Sequence, residues 1–321
     1  MSTLNALLAG LVDFAGLFPP AALDMRPAVL AYAGYRTGPH ARVLGAFVVP
    51  ASRLDEFGAE LERLGAGAEA VHPWAVSVIA SDAVDSDIAR ALRLGPTPER
   101  TPSTTVVAIE LKADTAAGVA RATALVPRSM AMAAEIPLSL GRDDRRSVLT
   151  AVRSARRMAK IRTGGVTPES IPSPAQVAEF IWDCARAGVP FKATAGLHHP
   201  IRAEHFLTYA PDSPRAVVHG FVNVFMASAA AWVAAQSDEA ARTADPPARV
   251  IGLLQEADPA SFSVDGDTIR WRDAVFTAAD MARSRRGLAR SFGSCSFAEP
   301  IAELEALGWI PRQQGPDAAE N

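Results

Sequence analysis

The feature that most constrains the fold is a repeat of short apolar segments along the chain. These segments are rich in β-branched residues, recur every 25 to 32 residues, and lie at 43–50, 74–81, 104–112, 129–138, 157–165, 190–199 and 220–227. They are apolar on both faces, which is typical of parallel strands covered by helices on each side. The interval has room for one strand, one helix and two loops, so it predicts a series of βα units.

Residues typical of helix ends and tight turns support this interpretation. The segment SFGSCSFAEPIAELEALG at 291–308 predicts a short strand, a tight turn and a helix, and it brings the count to eight βα units. Eight such units close into a (β/α)8 TIM barrel, an α/β fold in a single domain. Elsewhere, Ser173 and Pro174 predict the start of a helix that ends at Gly188, and 265–266, an Asp-Gly pair, predicts a hairpin.

Segments outside the repeat set the expected domain organisation. Residues 1–42 are an N-terminal extension packed on the barrel, or contain its first strand if the strand count is shifted by one. The barrel spans 43–310 and includes an insertion at 232–290, because 70 residues, about twice the repeat, separate Asn223 from Gly293. We expect the insertion to decorate the rim and to offer an interface for a homo-oligomer, and the polar tail at 311–321 to be flexible.

Composition excludes several classes of partner. The 321 residues carry a net charge of −3, which leaves no basic field for nucleic acid. The uncharged stretch at 216–237 is too rich in alanine and polar groups for a membrane span, so a buried strand and helix are expected there. Two cysteines without metal-ligand spacing fit a reducing compartment. We therefore expect a cytoplasmic protein that acts on a small anionic metabolite, with no membrane partner and no cofactor.

Lysine is scarce in this chain. Of the 32 basic residues, 29 are arginine and three are lysine: Lys112, Lys160 and Lys192. Arginine can replace lysine as a charge but not as an amine nucleophile. Lys160 and Lys192 stand one repeat apart near strand ends, where this fold places its active sites, so they should project from neighbouring strands and lower each other's pKa. The alternative is that each lysine forms a buried ion pair with Glu110 or Glu135.

Further polar residues near strand ends point to one shared pocket, since charges in apolar strands are costly unless they are paired or functional. The predicted catalytic residues are Lys160, Lys192, Glu135, His198 and Glu110. The predicted substrate-binding residues are Arg162, Gly164, Gly165, Thr194, Gly196, Asn223, Gly293, Ser294 and Ser296. The last glycine turn precedes a helix whose N–H groups could hold an anion, although tight loops also need glycine for conformational reasons.

The segments AKIRTGG and FKATAGLHHPIR, followed by SFGSCSFAEP, resemble the last three strands of deoxyribose-phosphate aldolase and related class I aldolases. Those enzymes have a K-T-S-T-G strand with the Schiff-base lysine, a K-A/P-x-G-G strand with a second lysine, and an F-G-A-S-S turn that binds phosphate. The resemblance implies that Lys160 forms the imine, that Lys192 lowers its pKa, and that phosphate contacts Gly196, Gly293, Ser294 and Ser296. The family has these lysines on strands six and seven, whereas the count above gives five and six.

Three functions remain open at this point. The first is a class I lyase, in which Lys160, or alternatively Lys192, forms an imine with a small anionic carbonyl compound while Glu135 or His198 moves protons. The second is a metal-dependent isomerase or hydrolase that uses both glutamates and His198, because four histidines fall within 198–219, although no metal-binding motif is present and no metal ligand is assigned. The third is a ligand-binding barrel without catalysis.

Overall fold

The computed structural model describes residues 2–65, 73–94, 104–237 and 243–312. In chain order, its strands are β1 (Val12–Phe14), β2 (Leu44–Pro50), β3 (Trp74–Ile79), β4 (Thr104–Lys112), β5 (Ala131–Glu135), β6 (Met158–Arg162), β7 (Phe191–Thr194), β8 (Ala203–Phe206), β9 (Arg215–Val218), β10 (Phe262–Asp265), β11 (Thr268–Trp271), β12 (Ala274–Thr277) and β13 (Ala289–Ser294). Strands β1 to β7 and β13 form a closed barrel in which all neighbours are parallel.

The helices alternate with the barrel strands. They are α1 (Thr3–Leu8), α2 (Met25–Thr37), α3 (Leu54–Leu64), α4 (Val84–Arg93), α5 (Ala116–Leu125), α6 (Arg142–Ser154), α7 (Pro174–Ala187), α8 (Phe221–Ala234), α9 (Ala248–Gln255), α10 (Ala278–Gly287) and α11 (Ala298–Ala306). Each barrel strand is followed by one of these helices: α2 to α8 follow β1 to β7 in order, and α11 follows β13. The predicted (β/α)8 TIM barrel is therefore confirmed.

Local sequence signals explain the ends of these elements. Ser173 and Gln176 form a capping box at the start of α7, and Gly188 ends that helix with a φ of +63°. This left-handed conformation favours glycine because a Cβ atom would be strained there. Phe180 of α7 then packs edge-on against Phe191 of β7, with ring centroids 5.5 Å apart. The predicted helix at this position is confirmed.

The strand count from sequence is wrong at two places. The segment 220–227, predicted as a strand, is the first half of helix α8. Residues 1–42 contain the first barrel strand, as the alternative with a shifted count predicts, because β1 lies between β2 and β13 in the barrel. A short apolar run can be a buried strand or a buried helix, and the alanines that follow decide for a helix. Because of this shift, Lys160 and Lys192 lie on strands six and seven.

The insertion precedes the last barrel strand, as the sequence predicts. Its described part holds α9, the antiparallel β10–β11–β12 sheet and α10, which connect the end of α8 to the start of β13 and so lie at the amino-terminal end of the barrel. The hairpin predicted at 265–266 joins β10 to β11 and is confirmed. The rim at the other end carries instead the β8–β9 hairpin, which follows β7. Most of the predicted tail, 313–321, lies outside the described residues.

Within the described ranges, no helix combines the length and apolar character needed to cross a membrane. Helix α8, which fills most of the uncharged stretch, has 14 residues and packs inside the protein.

Candidate functional site

A cavity of about 830 Å³ opens at the carboxyl ends of the barrel strands. Active sites of this fold form at that end, from strand termini and the loops that follow them. Its lining includes eleven of the fourteen site residues predicted from sequence: Glu110, Glu135, Lys160, Arg162, Gly164, Gly165, Lys192, Thr194, Gly196, His198 and Gly293. The prediction of one shared pocket is therefore confirmed for these residues.

The two lysines lie at the same depth, as the spacing predicts. Lys160 on β6 and Lys192 on β7 are direct partners in the parallel ladder, and Glu135 on β5 is the partner of Lys160 on its other side. Both lysines are 3% exposed. An ammonium group buried to this degree needs carboxylate partners, and the site supplies them.

A continuous chain of ion pairs runs across the cavity floor. Lys192 Nζ lies 2.7 Å from Asp13 Oδ2 and 2.6 Å from Glu110 Oε1. Lys160 Nζ lies 3.0 Å from Glu110 Oε2 and 2.8 Å from Glu135 Oε2. At the rim, Arg162 Nε contacts Glu135 Oε1 at 3.3 Å. The chain alternates in charge, and one carboxylate, that of Glu110, holds both lysines.

This geometry combines the two alternatives raised by the sequence. Each lysine has a carboxylate of its own, as a structural ion pair would, yet the pair is joined through the two oxygens of Glu110. Buried charges brought together in this way act as one coupled group, in which a proton lost from one member changes the others.

Asp13 is the site residue that sequence reasoning missed. It lies on β1, is 6% exposed, and accepts hydrogen bonds from Lys192, from the hydroxyl of Ser291 at 2.7 Å and from the amide of Ala46 at 2.8 Å. The available signal was an acidic residue inside the apolar run LVDFAGLF. Because that segment was assigned to an extension outside the barrel, its carboxylate was not placed with the lysines.

The pKa directions follow from burial and pairing. Burial alone would raise the pKa of Glu110, but the charges of Lys192 and Lys160, with hydrogen bonds from Lys192 and Ser77, hold it well below its usual range. Burial would likewise lower the pKa of Lys192, yet Asp13 and Glu110 raise it above its ordinary value. Lys192 therefore keeps its proton at neutral pH. The expectation that both lysines have lowered pKa values is wrong for Lys192.

A second cluster lies on the β13 side of the same cavity. His198 Nδ1 is 2.8 Å from Glu299 Oε2, and its Nε2 is 3.8 Å from Cys295 Sγ. The hydroxyl of Tyr209 donates to Glu299 Oε1 at 2.8 Å and lies 4.0 Å from Cys295 Sγ. Burial disfavours the imidazolium, but hydrogen bonds to Cys295 and Glu299 outweigh it and raise the pKa of His198 to about 9. Of this cluster, the sequence identified only His198.

The glycine turns have a packing role. Gly196 has a φ of +77°, and a Cβ added to it would lie 2.9 Å from Gly164 Cα. The loops that follow the two lysine-bearing strands therefore touch, which only glycine allows at both positions.

Two serines of the predicted phosphate-binding turn, Ser294 and Ser296, already contact neighbouring residues. Ser296 Oγ accepts the amide of Glu299, and Ser294 Oγ lies 3.4 Å from His198 Nδ1. The carboxylate of Glu299 lies in the first turn of α11 and lines the cavity. A negative charge at this point opposes an anion beside the turn.

The assignment of Asn223 to the pocket is wrong. It lies on α8, is fully buried, and its side chain accepts the amide of Arg202 and donates to the carbonyl oxygens of Leu253 and Glu256. It fixes α9 to α8, because it satisfies backbone groups that would otherwise be unpaired.

Among the described residues, no three His, Cys, Asp or Glu side chains are grouped as a metal site requires. The oxygens of Glu110 and Glu135 contact lysines, and His198 pairs with Glu299, so the three residues that the metal-dependent alternative would use are engaged with other partners.

Comparisons with protein-family models, with curated proteins and with solved structures found no match to this chain.

Proposed function

We propose that this protein is a lyase of the class I aldolase type, in which Lys160 forms an imine with a small anionic carbonyl compound. The observation that carries the proposal is the pair of buried lysines held by one carboxylate beneath a cavity at the carboxyl ends of the strands. In a chain with 29 arginines, arginine would serve any purely electrostatic purpose, and only lysine can supply an amine.

The surroundings of the two lysines favour Lys160 as the nucleophile. Lys192 contacts Asp13 and Glu110, both almost fully buried, and its pKa is raised. Lys160 shares Glu110 but has Glu135 as its second partner, whose side chain is 17% exposed and reaches the cavity. Glu135 therefore offers Lys160 a path for proton transfer between its Nζ atom and the cavity, which Lys192 lacks.

The steps of the reaction follow from this assignment. Neutral Lys160 attacks the substrate carbonyl, and Glu135 returns a proton to the hydroxyl group of the adduct, so that water leaves and an iminium ion remains, whose charge Glu110 stabilises. The carbon–carbon bond beyond the α-carbon then breaks, its electron pair moves towards the iminium nitrogen, and Glu135 takes the proton of the β-hydroxyl group. An aldehyde leaves, the enamine regains a proton at carbon, and water releases the second product.

The size and charges of the cavity support a small anionic substrate. Its volume of about 830 Å³ falls in the range of small-molecule sites. Arg162 lies at the rim beside Glu135, and its side chain is 55% exposed, so it is free to turn towards a carboxylate or phosphate group. After correction of the strand count, the lysines lie on strands six and seven, as in the family that the motifs resemble.

The test is borohydride trapping of the full chain with a panel of aldehydes, keto acids and sugar phosphates, read by peptide mass spectrometry. The expected product is a reduced adduct on Lys160, because borohydride converts the imine to a stable amine. It should be lost in Lys160→Arg and retained in Lys112→Arg, the matched control at an exposed lysine that lines the same cavity.

Adduct formation is expected to be weaker in Arg162→Gln for anionic compounds and unchanged there for neutral ones. If no compound of the panel leaves an adduct on Lys160 in the folded protein, the imine mechanism is refuted. An adduct on Lys192 alone would reverse the assignment of the two lysines.

A further inference from the structure

The cluster around Cys295 has the arrangement of a nucleophile, a base and an orienting group. The two ring nitrogens of His198 are divided between two partners: Nε2 faces the thiol at 3.8 Å and Nδ1 faces Glu299 at 2.8 Å. A carboxylate on one nitrogen orients the ring and directs the other nitrogen at the thiol, so that nitrogen and sulfur can share a proton. This division of roles is what an activated thiol requires.

Burial and cavity access separate Cys295 from an ordinary core cysteine. Cys295 is 5% exposed, yet it lines the cavity together with His198 and Glu299. Cys184, the other cysteine, lies inside α7 with no exposed surface, and burial raises the pKa of its thiol. The chain thus contains one thiol beside a base and one that is inert, which gives an internal reference.

Tyr209 completes the surroundings of the thiol. It comes from the loop of the β8–β9 hairpin, donates to the second oxygen of Glu299 at 2.8 Å, and lies 4.0 Å from Cys295 Sγ. Both oxygens of Glu299 are therefore engaged, one by Tyr209 and one by His198. The carboxylate is held in place by these bonds, so it can orient the imidazole.

The thiol lies above the lysines in the same cavity. Ser291 of β13 bonds to Asp13 at the level of Lys192, and Cys295 follows four residues later. Strands rise by about 3.3 Å per residue, so the thiol is on the order of 10 Å closer to the mouth than the lysine layer. A carbonyl compound in the cavity can therefore meet the thiol without displacing the ion-pair chain.

We propose that Cys295, His198 and Glu299 form a second covalent site, in which the thiol adds reversibly to an aldehyde in the cavity. The sulfur forms a bond to the carbonyl carbon, and the carbonyl oxygen receives the single proton that Cys295 Sγ and His198 Nε2 share. The product is a hemithioacetal, and no oxidant or further reactant is needed. The choice of an aldehyde rests on the proposed function, because aldol cleavage releases an aldehyde. The geometry of the three residues is independent of that function.

The direct test is ¹³C NMR of the full chain mixed with acetaldehyde labelled at its carbonyl carbon. A hemithioacetal carbon is tetrahedral and an imine carbon is trigonal, so the two adducts give signals in separate spectral regions. Free acetaldehyde hydrate also has a tetrahedral carbon, so the signal sought is that of protein-bound carbon, which differs from the hydrate in chemical shift and linewidth. We expect this bound tetrahedral signal in the native protein and in Cys184→Ala, and its loss in Cys295→Ala. Failure of the proposed lyase function would remove the trigonal signal only.

A second measurement compares the reactivity of the two thiols. Iodoacetamide labelling of the native protein, followed by peptide mass spectrometry, should modify Cys295 at least ~10-fold faster than Cys184 at pH 7. In His198→Gln the rate at Cys295 should fall at least ~10-fold, because the thiol loses its base. In Glu299→Gln the NMR titration of the His198 ring should move to lower pH, since the imidazolium loses its anionic partner.

Two outcomes overturn the proposal. One is the absence of a protein-bound tetrahedral carbon signal from the folded native protein, or the survival of that bound signal in Cys295→Ala. The other is a labelling rate at Cys295 that is no faster than at Cys184, or that His198→Gln leaves unchanged.

Discussion

Replacement of Glu110 by glutamine tests whether one carboxylate holds the site together. The side chain of Glu110 is 2% exposed, and its two oxygens lie 2.6 Å from Lys192 Nζ and 3.0 Å from Lys160 Nζ. With an effective dielectric constant of about 20, each contact gives roughly 6 kcal/mol of Coulomb attraction, most of which offsets the cost of burying the ions. Glutamine keeps the shape and a hydrogen-bonding oxygen but leaves two ammonium groups without their shared counter-ion.

We expect Glu110→Gln to lower the free energy of unfolding by about 3–5 kcal/mol, because removal of one partner strands buried charge. For a chain of 321 residues the entropy of unfolding is about 0.7 kcal/mol/K, so the melting temperature should fall by roughly 4–8 °C. The assay is denaturant and thermal unfolding at pH 7, followed by circular dichroism. Glu135→Gln is the matched control: it touches one buried ammonium and is reached by water, so about 1–2 kcal/mol is expected.

The reasoning is refuted if Glu110→Gln unfolds at the same denaturant concentration as Glu135→Gln, or if both match the native protein. Either result would mean that the two lysines do not depend on Glu110 for their burial.

Three further predictions concern pH, packing and the glycine contact. Folding lowers the pKa of Glu110, so the stability gap between native protein and Glu110→Gln should be constant above pH 4.5 and should narrow as the pH falls below it; unfolding curves at several pH values measure this. Asn223→Ala should cost about 2–4 kcal/mol by denaturant unfolding, because it leaves buried carbonyl groups unpaired, while imine trapping on Lys160 persists. Gly196→Ala should cost about 1–3 kcal/mol and reduce trapping, since a Cβ there meets Gly164; unchanged stability would contradict the described contact.

The barrel could be predicted from sequence because its strands repeat with a clear period. The prediction was wrong where the local signal is ambiguous or short: 220–227 has the composition of either a buried strand or a buried helix, and β1 has only three residues. These two errors compensate, so the predicted total of eight strands is correct, but every predicted strand before 220–227 is one place too early in the order. Periodicity gives the count of elements but cannot decide which apolar run closes the barrel.

The sequence predicts the main residues of the site but not the ion pairs that join them. Lys160 and Lys192 could be found because the chain is poor in lysine and because they stand one repeat apart. The sharing of Glu110 could not, since it depends on how far each side chain extends from its own layer of the barrel. Asp13 comes from the other end of the chain, and its role becomes visible only when β1 is placed beside β13.

The pairing of the first and last barrel strands has a consequence for synthesis of the protein on the ribosome. Asp13 contacts Lys192 and Ser291, and 278 residues separate it from the latter. At translation rates of about 5–20 residues per second, the strand that carries Asp13 waits roughly 14–56 s for its neighbour. During that interval the apolar strands already made have an unpaired edge. Asp13, the partner of Lys192, still lacks its hydrogen bond from Ser291. The nascent chain therefore needs protection from aggregation until its final βα unit leaves the exit tunnel.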